Sequence, residues 1–305
     1  MRFRQSVLGI AAWFFASVSG ADAKPPEHIQ TIRLPINQAD IAGVEACINS
    51  GSEDCRKCRI PGQSNLSLMN YTLLREALTA GGITAEVVPV QSPNSERSRK
   101  MIQAGIADVK TDWVFNISPA EGALKTAPLF QSGEIEKGLY ARPGFMADDL
   151  PETLEDIGTL RAVGIRTWRL DWQVLESLPV ASLISAATTR QMFSLIDAGR
   201  ADFTLLEFSS QEDMGREIDG IWLYPITGIK VSLPATQHFM VSDQLEDANK
   251  VVAALDRGIR VMRDNGFIHR CLVNNGVINP AVENWHNLNS PHATTKPAAP
   301  AVSTQ

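Results

Sequence analysis

The sequence predicts an α/β protein of two similarly built lobes, on three observations. One unit occurs twice: Ile102-Gln103-Ala104-Gly105-Ile106-Ala107-Asp108 and Ile196-Asp197-Ala198-Gly199-Arg200-Ala201-Asp202 share Ile, Ala, Gly, Ala and Asp at matching places. Each copy ends an amphipathic helix on a glycine, which takes the left-handed cap conformation without a Cβ penalty. Each then turns through the Asp into an apolar run, Val109–Ile117 in one and Phe203–Phe208 in the other. A repeated helix–Gly–x–x–Asp–strand unit is what two α/β lobes of one plan leave in a sequence. Any α/β protein has several such joints, and chance likeness is the competing explanation; five identities in seven positions weigh against it. The second observation is the regular alternation of helical and extended patterns from Tyr71 onward. The third is size: 305 residues with 44% apolar content suffice for two lobes with a core each.

Taken in order, the chain opens on an export signal. Arg2 and Arg4 precede an apolar run, Val7–Val18, too short to span a bilayer, and Ala21-Asp22-Ala23 is a small-x-small cleavage site. Cleavage after Ala23 leaves Lys24 first, in an exported, periplasmic chain; an uncleaved anchor is the alternative, and no Cys follows the site to carry lipid. The formal charge of −6 becomes about −7 without Arg2, Arg4 and Asp22, which argues against nucleic acid or an anionic membrane as partner.

Gln30–Ile36 reads as the first strand. The stretch 37–70, polar and weakly periodic, reads as a stapled loop insert containing Cys47, Cys55 and Cys58. Cys55-Arg56-Lys57-Cys58 has CxxC spacing, but Arg59 stands where covalent haem attachment needs His. The five histidines do not cluster in sequence, so no metal site is expected. In an oxidising compartment these three and Cys271 are disulfide candidates, with three possible pairings. Redox catalysis by the CxxC pair lacks a thioredoxin-like βαβ context. Next come a helix over Tyr71–Ala80 stopped by Gly81-Gly82, a strand over Thr84–Val90, and a helix over Glu96–Ala104 capped by Asn94 or Ser95. Beyond the strand Val109–Ile117 the pattern gives strands Ile135–Ala141 and Arg161–Thr167, and helices Pro151–Ile157 and Leu170–Leu178. Ala181–Ala186, Ile221–Ile226, Ile229–Leu233 and His238–Ser242 read as extended, and Glu246–Asn265 and Ile268–Asn274 as helices. Residues 290–305, rich in Pro, Ala and Thr, lack the apolar content to pack and read as a disordered tail.

This order of parts resembles a type II periplasmic solute-binding protein of extracellular family 3, the polar amino-acid-binding kind. The resembling stretches are LLREALTAGGI, KMIQAGIADV, RAVGIRTWRLD, LIDAGRADFTLLE and FMVSDQLEDANKVVAALDRGIRVMRDNGFI. The resemblance implies a clamshell: each lobe a mixed sheet flanked by helices, two hinge crossings, and a ligand held between the lobes. Lobe one would be residues 24–130 plus 238–285, and lobe two 136–229. It also implies a small-molecule solute, amine- or amino-acid-like, an inner-membrane permease of ABC type as partner, a monomer, and no cofactor or catalysis. The competing functions are a periplasmic interaction or sensor protein with a degenerate cleft, and a dehydratase-like enzyme, for which no His or Cys constellation is evident.

The family's ligand site carries over in part. Gly199-Arg200-Ala201-Asp202 leads to Glu207 at a strand end, where the family places the carboxylate that receives the ligand's amino group. A strand-end carboxylate faces the crevice of an open α/β sheet; a solvated Glu is the plainer reading. Thr167 matches the Ser or Thr that opens a helix N-terminus, where backbone N–H groups favour anions, or it merely caps the helix. Trp168 and Arg169 replace small residues, making that wall bulkier and more basic. The family's carboxylate-clamping Arg is missing: Ser118-Pro119-Ala120-Glu121 is followed by Gly122. Arg169 would then take its place, or the ligand is not an ordinary α-amino acid. Asp112 and Trp113 offer a carboxylate and a stacking face, against a reading as half-buried strand packing.

Overall fold

A computed structural model of the protein describes residues 27–38, 40–50, 66–145, 153–209 and 211–290. The expected signal, Cys55, Cys58, most of the tail and the start of the Pro151–Ile157 helix lie outside these residues.

Three sheets organise the chain. Strands β1 (Glu27–Asn37) and β2 (Ile83–Ser92) pair in parallel around α1 (Ile41–Asn49) and α2 (Leu66–Ala80). Helix α3 (Ser95–Gln103) leads to β3 (Val109–Trp113), which with β4 (Ala123–Phe130) flanks β11 (Gln237–Ser242) in an antiparallel three-stranded sheet. The third sheet has seven strands. Its elements are β5 (Glu136–Ala141), β6 (Arg161–Ile165), α4 (Arg169–Ser177), β7 (Ser182–Ala186), α5 (Thr189–Asp197), β8 (Phe203–Glu207), β9 (Arg216–Ile218) and β10 (Ile221–Ser232). Helices α6 (Ala248–Asp264) and α7 (Phe267–Asn274) follow β11, and β12 (His286–Asn287) closes the third sheet in the order β12-β10-β5-β8-β6-β7, with β9 on β10. The chain thus passes from the first sheets to the third after β4 and back after β10, with β12 a short late return. Among the described residues no helix is long and apolar enough to cross a membrane.

The repeated unit is reproduced in its caps and its Asp–Arg bonds. Helices α3 and α5 begin on side-chain caps, Asn94 accepting from Arg97 N–H and Thr188 from Gln191 N–H. They end on Gly105 and Gly199, at φ 65° and 64°. Asp108 then accepts from the backbone N–H of Arg33 at 2.7 Å and from its guanidinium at 2.6 and 2.9 Å. Asp202 accepts from Arg161 in the same way, at 2.7 Å from the backbone and 2.7 and 3.0 Å from the guanidinium. Each Asp returns its own N–H to the same arginine's carbonyl, so one acidic residue pins a helix exit to another strand, β1 in one unit and β6 in the other. That is the physical content of the five shared positions.

Elsewhere the boundaries moved. The 37–70 stretch is not all loop: α1 lies within it and α2 begins at Leu66, because Val44, Cys47, Leu68 and Met69 are buried. Short runs with Ser and Asn between the apolar residues hide that periodicity. The strand expected over Val109–Ile117 stops at Trp113 and turns into a 3-10 helix, Val114–Asn116. The helix expected up to Ile157 is, among the described residues, the 3-10 turn Asp156–Thr159. The extended runs Ile221–Ile226 and Ile229–Leu233 are one strand with a register shift between Pro225 and Lys230.

Candidate functional site

The six residues singled out from the sequence fall at the end of β3 (Asp112, Trp113), at the end of β8 (Glu207) and at the start of α4 and the turn before it (Thr167, Trp168, Arg169). Lys110 and Asp112 alternate along β3 and so share one face. The Asp112 carboxylate is buried and fully engaged. It accepts from Lys110 Nζ at 2.8 Å, Arg99 Nε at 3.3 Å, Asn116 Nδ2 at 2.7 Å and the Trp113 N–H at 2.8 Å. Burial alone would raise its pKa, but Lys110, Asn116 and Arg99 outweigh burial and hold the carboxyl below its ordinary value. Trp113 is half-buried against the core.

Glu207 ends β8 directly opposite Lys137 of β5. Its carboxylate meets Lys137 Nζ at 2.9 Å, and the same ammonium contacts Asp171 in the first turn of α4. The Lys137 side chain is 4% exposed and lies 6.0 Å from the Trp168 ring centre. The position expected to receive a ligand's amine therefore already receives one, from the chain itself. Burial opposes ionisation of Glu207, yet Lys137 and Arg216 together depress its pKa. Asp171, more deeply enclosed, is raised by burial despite Lys137. Lys137 is raised, its two carboxylates outweighing its own burial. Arg216 folds back on the end of β8, donating to the carbonyls of Glu207 and Phe208 at 2.8–3.0 Å, and its Nη1 is buried without a partner.

Arg169 joins the two sides. It opens α4 and is exposed. Its Nη1 reaches Asn116 Oδ1 at 3.4 Å, and its guanidinium sits 4.9 Å from the ring centre of Phe115, itself 38% exposed. Asn116 must donate its amide nitrogen to Asp112, which can only accept, and this turns the amide oxygen toward Arg169. Thr167 is exposed and caps nothing: the N-cap position is Trp168, with no side-chain bond. Gly122, in place of the family's Arg, has φ 79°, and a Cβ there would lie 2.9 Å from the Gln103 carbonyl oxygen. The turn is built for glycine.

The structure thus places these residues in two clusters, Asp112 with Arg99, Lys110 and Asn116, and Glu207 with Lys137, Asp171 and Arg216 beside Trp168, while Arg169 reaches Asn116 and Phe115. Sequence reading passed over Arg99, Lys110, Phe115, Asn116, Lys137, Asp171 and Arg216. A signal existed for Lys137, a lysine in an apolar strand, and for Lys110, two residues from Asp112. Asp171 and Asn116 carried none, since their roles depend on tertiary placement. Among the described residues no group of three His, Cys, Asp or Glu is placed to hold a metal. Cys47 and Cys271 are buried, and no cysteine there is free.

No protein-family model matches the sequence, and no curated protein does. Solved structures do. The second substrate-binding domain of Lactococcus lactis GlnP, in an open conformation, is similar with a TM-score of 0.51 at 10% identity, over 85% of this chain and 100% of that one. The periplasmic VFT2 domain of Bordetella pertussis BvgS has a TM-score of 0.49 at 11% identity, and the Streptococcus pneumoniae substrate-binding protein AbpA, bound to L-arginine, 0.46 at 10%; each likeness covers 79% of this chain and 92% of the other. At such identities the likeness is one of fold: the chain has the two-lobed α/β fold of type II periplasmic binding proteins.

Proposed function

We propose that the protein is a non-catalytic, exported solute-binding protein that captures a small polar solute between its lobes. The observation that carries this reading is Arg169 on α4 meeting Asn116 and Phe115 after β3, a polar contact between the two halves of a two-lobed fold. Hinge closure around a solute would pass through this point. Lobe one is then residues 24–130 with 238–285 and lobe two 136–229, a division supported by the sheets to which their strands belong. Asp112, Trp113, Thr167, Trp168, Arg169 and Glu207 line the cleft. The family resemblance alone would make the solute amine- or amino-acid-like; Glu207, the residue expected to receive its amine, is already committed to Lys137. By the same resemblance, an ABC-type permease receives the solute. The chain acts as a monomer cleaved after Ala23, with its cysteines in disulfides; the bonded state of Cys47 and Cys271 supports the last point.

One observation favours a second reading, an interaction or sensor protein with a degenerate cleft: both strand-end carboxylates are already neutralised by the chain's own cations. A thermal-shift screen of small solutes separates the two. Solute binding gives a saturable rise in Tm following RT ln(1 + [L]/Kd), with the solute recovered unchanged. No rise with amines, amino acids or organic acids at millimolar concentration overturns it.

A further inference from the structure

Resting on the solute-binding reading, we propose that the ligand is a carboxylate without a free amino group, gripped by Arg169 with its apolar body on the Phe115 ring. The argument is one of which charges are already committed. Asp112 is saturated by four donors, and Glu207 shares Lys137 with Asp171. Arg99 and Lys110 are spent on Asp112, and Lys137 on Glu207 and Asp171, whereas Arg169 bonds only a neutral amide oxygen. An amine entering here would meet two carboxylates bridged by a lysine and would have to displace that lysine from a buried pair.

The spare capacity is on the donor side. Arg169 is exposed and makes one long bond, 3.4 Å, to a neutral amide oxygen. A carboxylate offers it a shorter, charge-assisted, bidentate partner. Phe115, exposed beside the guanidinium, supplies an apolar face for the rest of the ligand.

The test is calorimetric titration of the purified protein with benzoate and succinate as acid probes. Putrescine and L-lysine serve as amine probes, and L-glutamine as an α-amino acid. Acid binding with no heat from the amines is expected. Arg169→Ala should weaken an acid roughly ten- to hundredfold, the range for a lost hydrogen bond to a charged group. Arg190→Ala, which removes an exposed arginine paired with Asp219, should leave it unchanged. An amine or amino acid binding more tightly than either acid overturns this proposal and leaves the solute-binding reading standing. Acid binding unaffected by Arg169→Ala likewise overturns it. No binding by any probe sinks both.

Discussion

The two lobes share a joint and differ where the joint leads. In each, a glycine-ended helix passes to an Asp clamped on the arginine of a neighbouring strand, with the same set of Asp–Arg bonds. In each, the strand that follows ends near a carboxylate neutralised by a lysine. There the plan diverges. Asp112 draws Lys110 from its own strand and adds Arg99 and Asn116. Glu207 draws Lys137 from the antiparallel neighbour and shares it with Asp171. The joint is architecture, set by backbone geometry that few sequences satisfy. The strand ends are under no such constraint, and the two charged clusters sit there.

The sharpest way to test that difference is to remove each lysine. Lys137→Met leaves two carboxylates in a mostly enclosed site with no cation bridging them, and should cost about 3–5 kcal/mol of stability, the usual penalty for breaking a buried pair from one side. Lys110→Met leaves Asp112 with Arg99, Asn116 and the Trp113 N–H, and should cost less, about 1–3 kcal/mol. Urea denaturation of both variants decides the matter. Equal losses would mean that the two clusters are equivalent and the contrast between the lobes is superficial.

The shared joint predicts the opposite pattern, two losses of similar size. Asp108→Ala and Asp202→Ala each strip acceptors from an arginine backbone N–H and its guanidinium. Both arginine side chains are 42% exposed and can rehydrate, so the cost reduces to the enclosed N–H, about 1–3 kcal/mol in each. A smaller effect follows from the caps. Gly105→Ala and Gly199→Ala place a Cβ in left-handed backbone, about 1–2 kcal/mol each. The new Cβ meets only side chains, Gln244 in one and Arg142 in the other, which can move aside. A Tm drop in one member of either pair without the other would break the claim that the joints are alike.

The repeat was legible because it is local: helix cap, left-handed glycine and clamping Asp all lie within seven residues. Glu207 and Asp112 were legible as strand-end carboxylates for the same reason. What hid their engagement is distance along the chain. Lys137 pairs with Glu207 across an antiparallel ladder seventy residues away in sequence (207 minus 137), and Asp171 arrives on a helix from between them. Helix α1 was missed because only Val44 and Cys47 are buried along it, too few apolar positions to show a helical period. Thr167 shows the converse error: its spacing fitted a cap, but the turn places Trp168 at that position.

The smallest expected difference between the lobes is in mild acid. The central strand of the three-stranded sheet, β11, carries His238, buried between Thr126 of β4 and Thr236. The Thr126 carbonyl can only accept, so Nδ1 carries the proton and Nε2 accepts from the Thr236 hydroxyl, the neutral tautomer. Burial lowers its pKa; Lys125 adds to the depression, while the Thr126 carbonyl and Asp256 pull the other way. A lowered folded pKa means the folded state binds this proton less tightly than the unfolded chain. Its stability contribution is therefore present above the ordinary value of 6.5 and is lost as pH falls through the folded value. The corresponding strand of the other sheet, β10, carries Lys230 on Glu136 at 2.9 Å, which has no imidazole to titrate. Stability measured by urea melts between about pH 7.5 and 5 should decline in the wild type. His238→Gln should flatten the part of that slope that belongs to lobe one. The carboxylates Asp112 and Glu207, depressed below ordinary values of 3.8 and 4.5, add their own losses only at lower pH. An unchanged slope in His238→Gln would place the acid sensitivity elsewhere and remove this last distinction between the lobes.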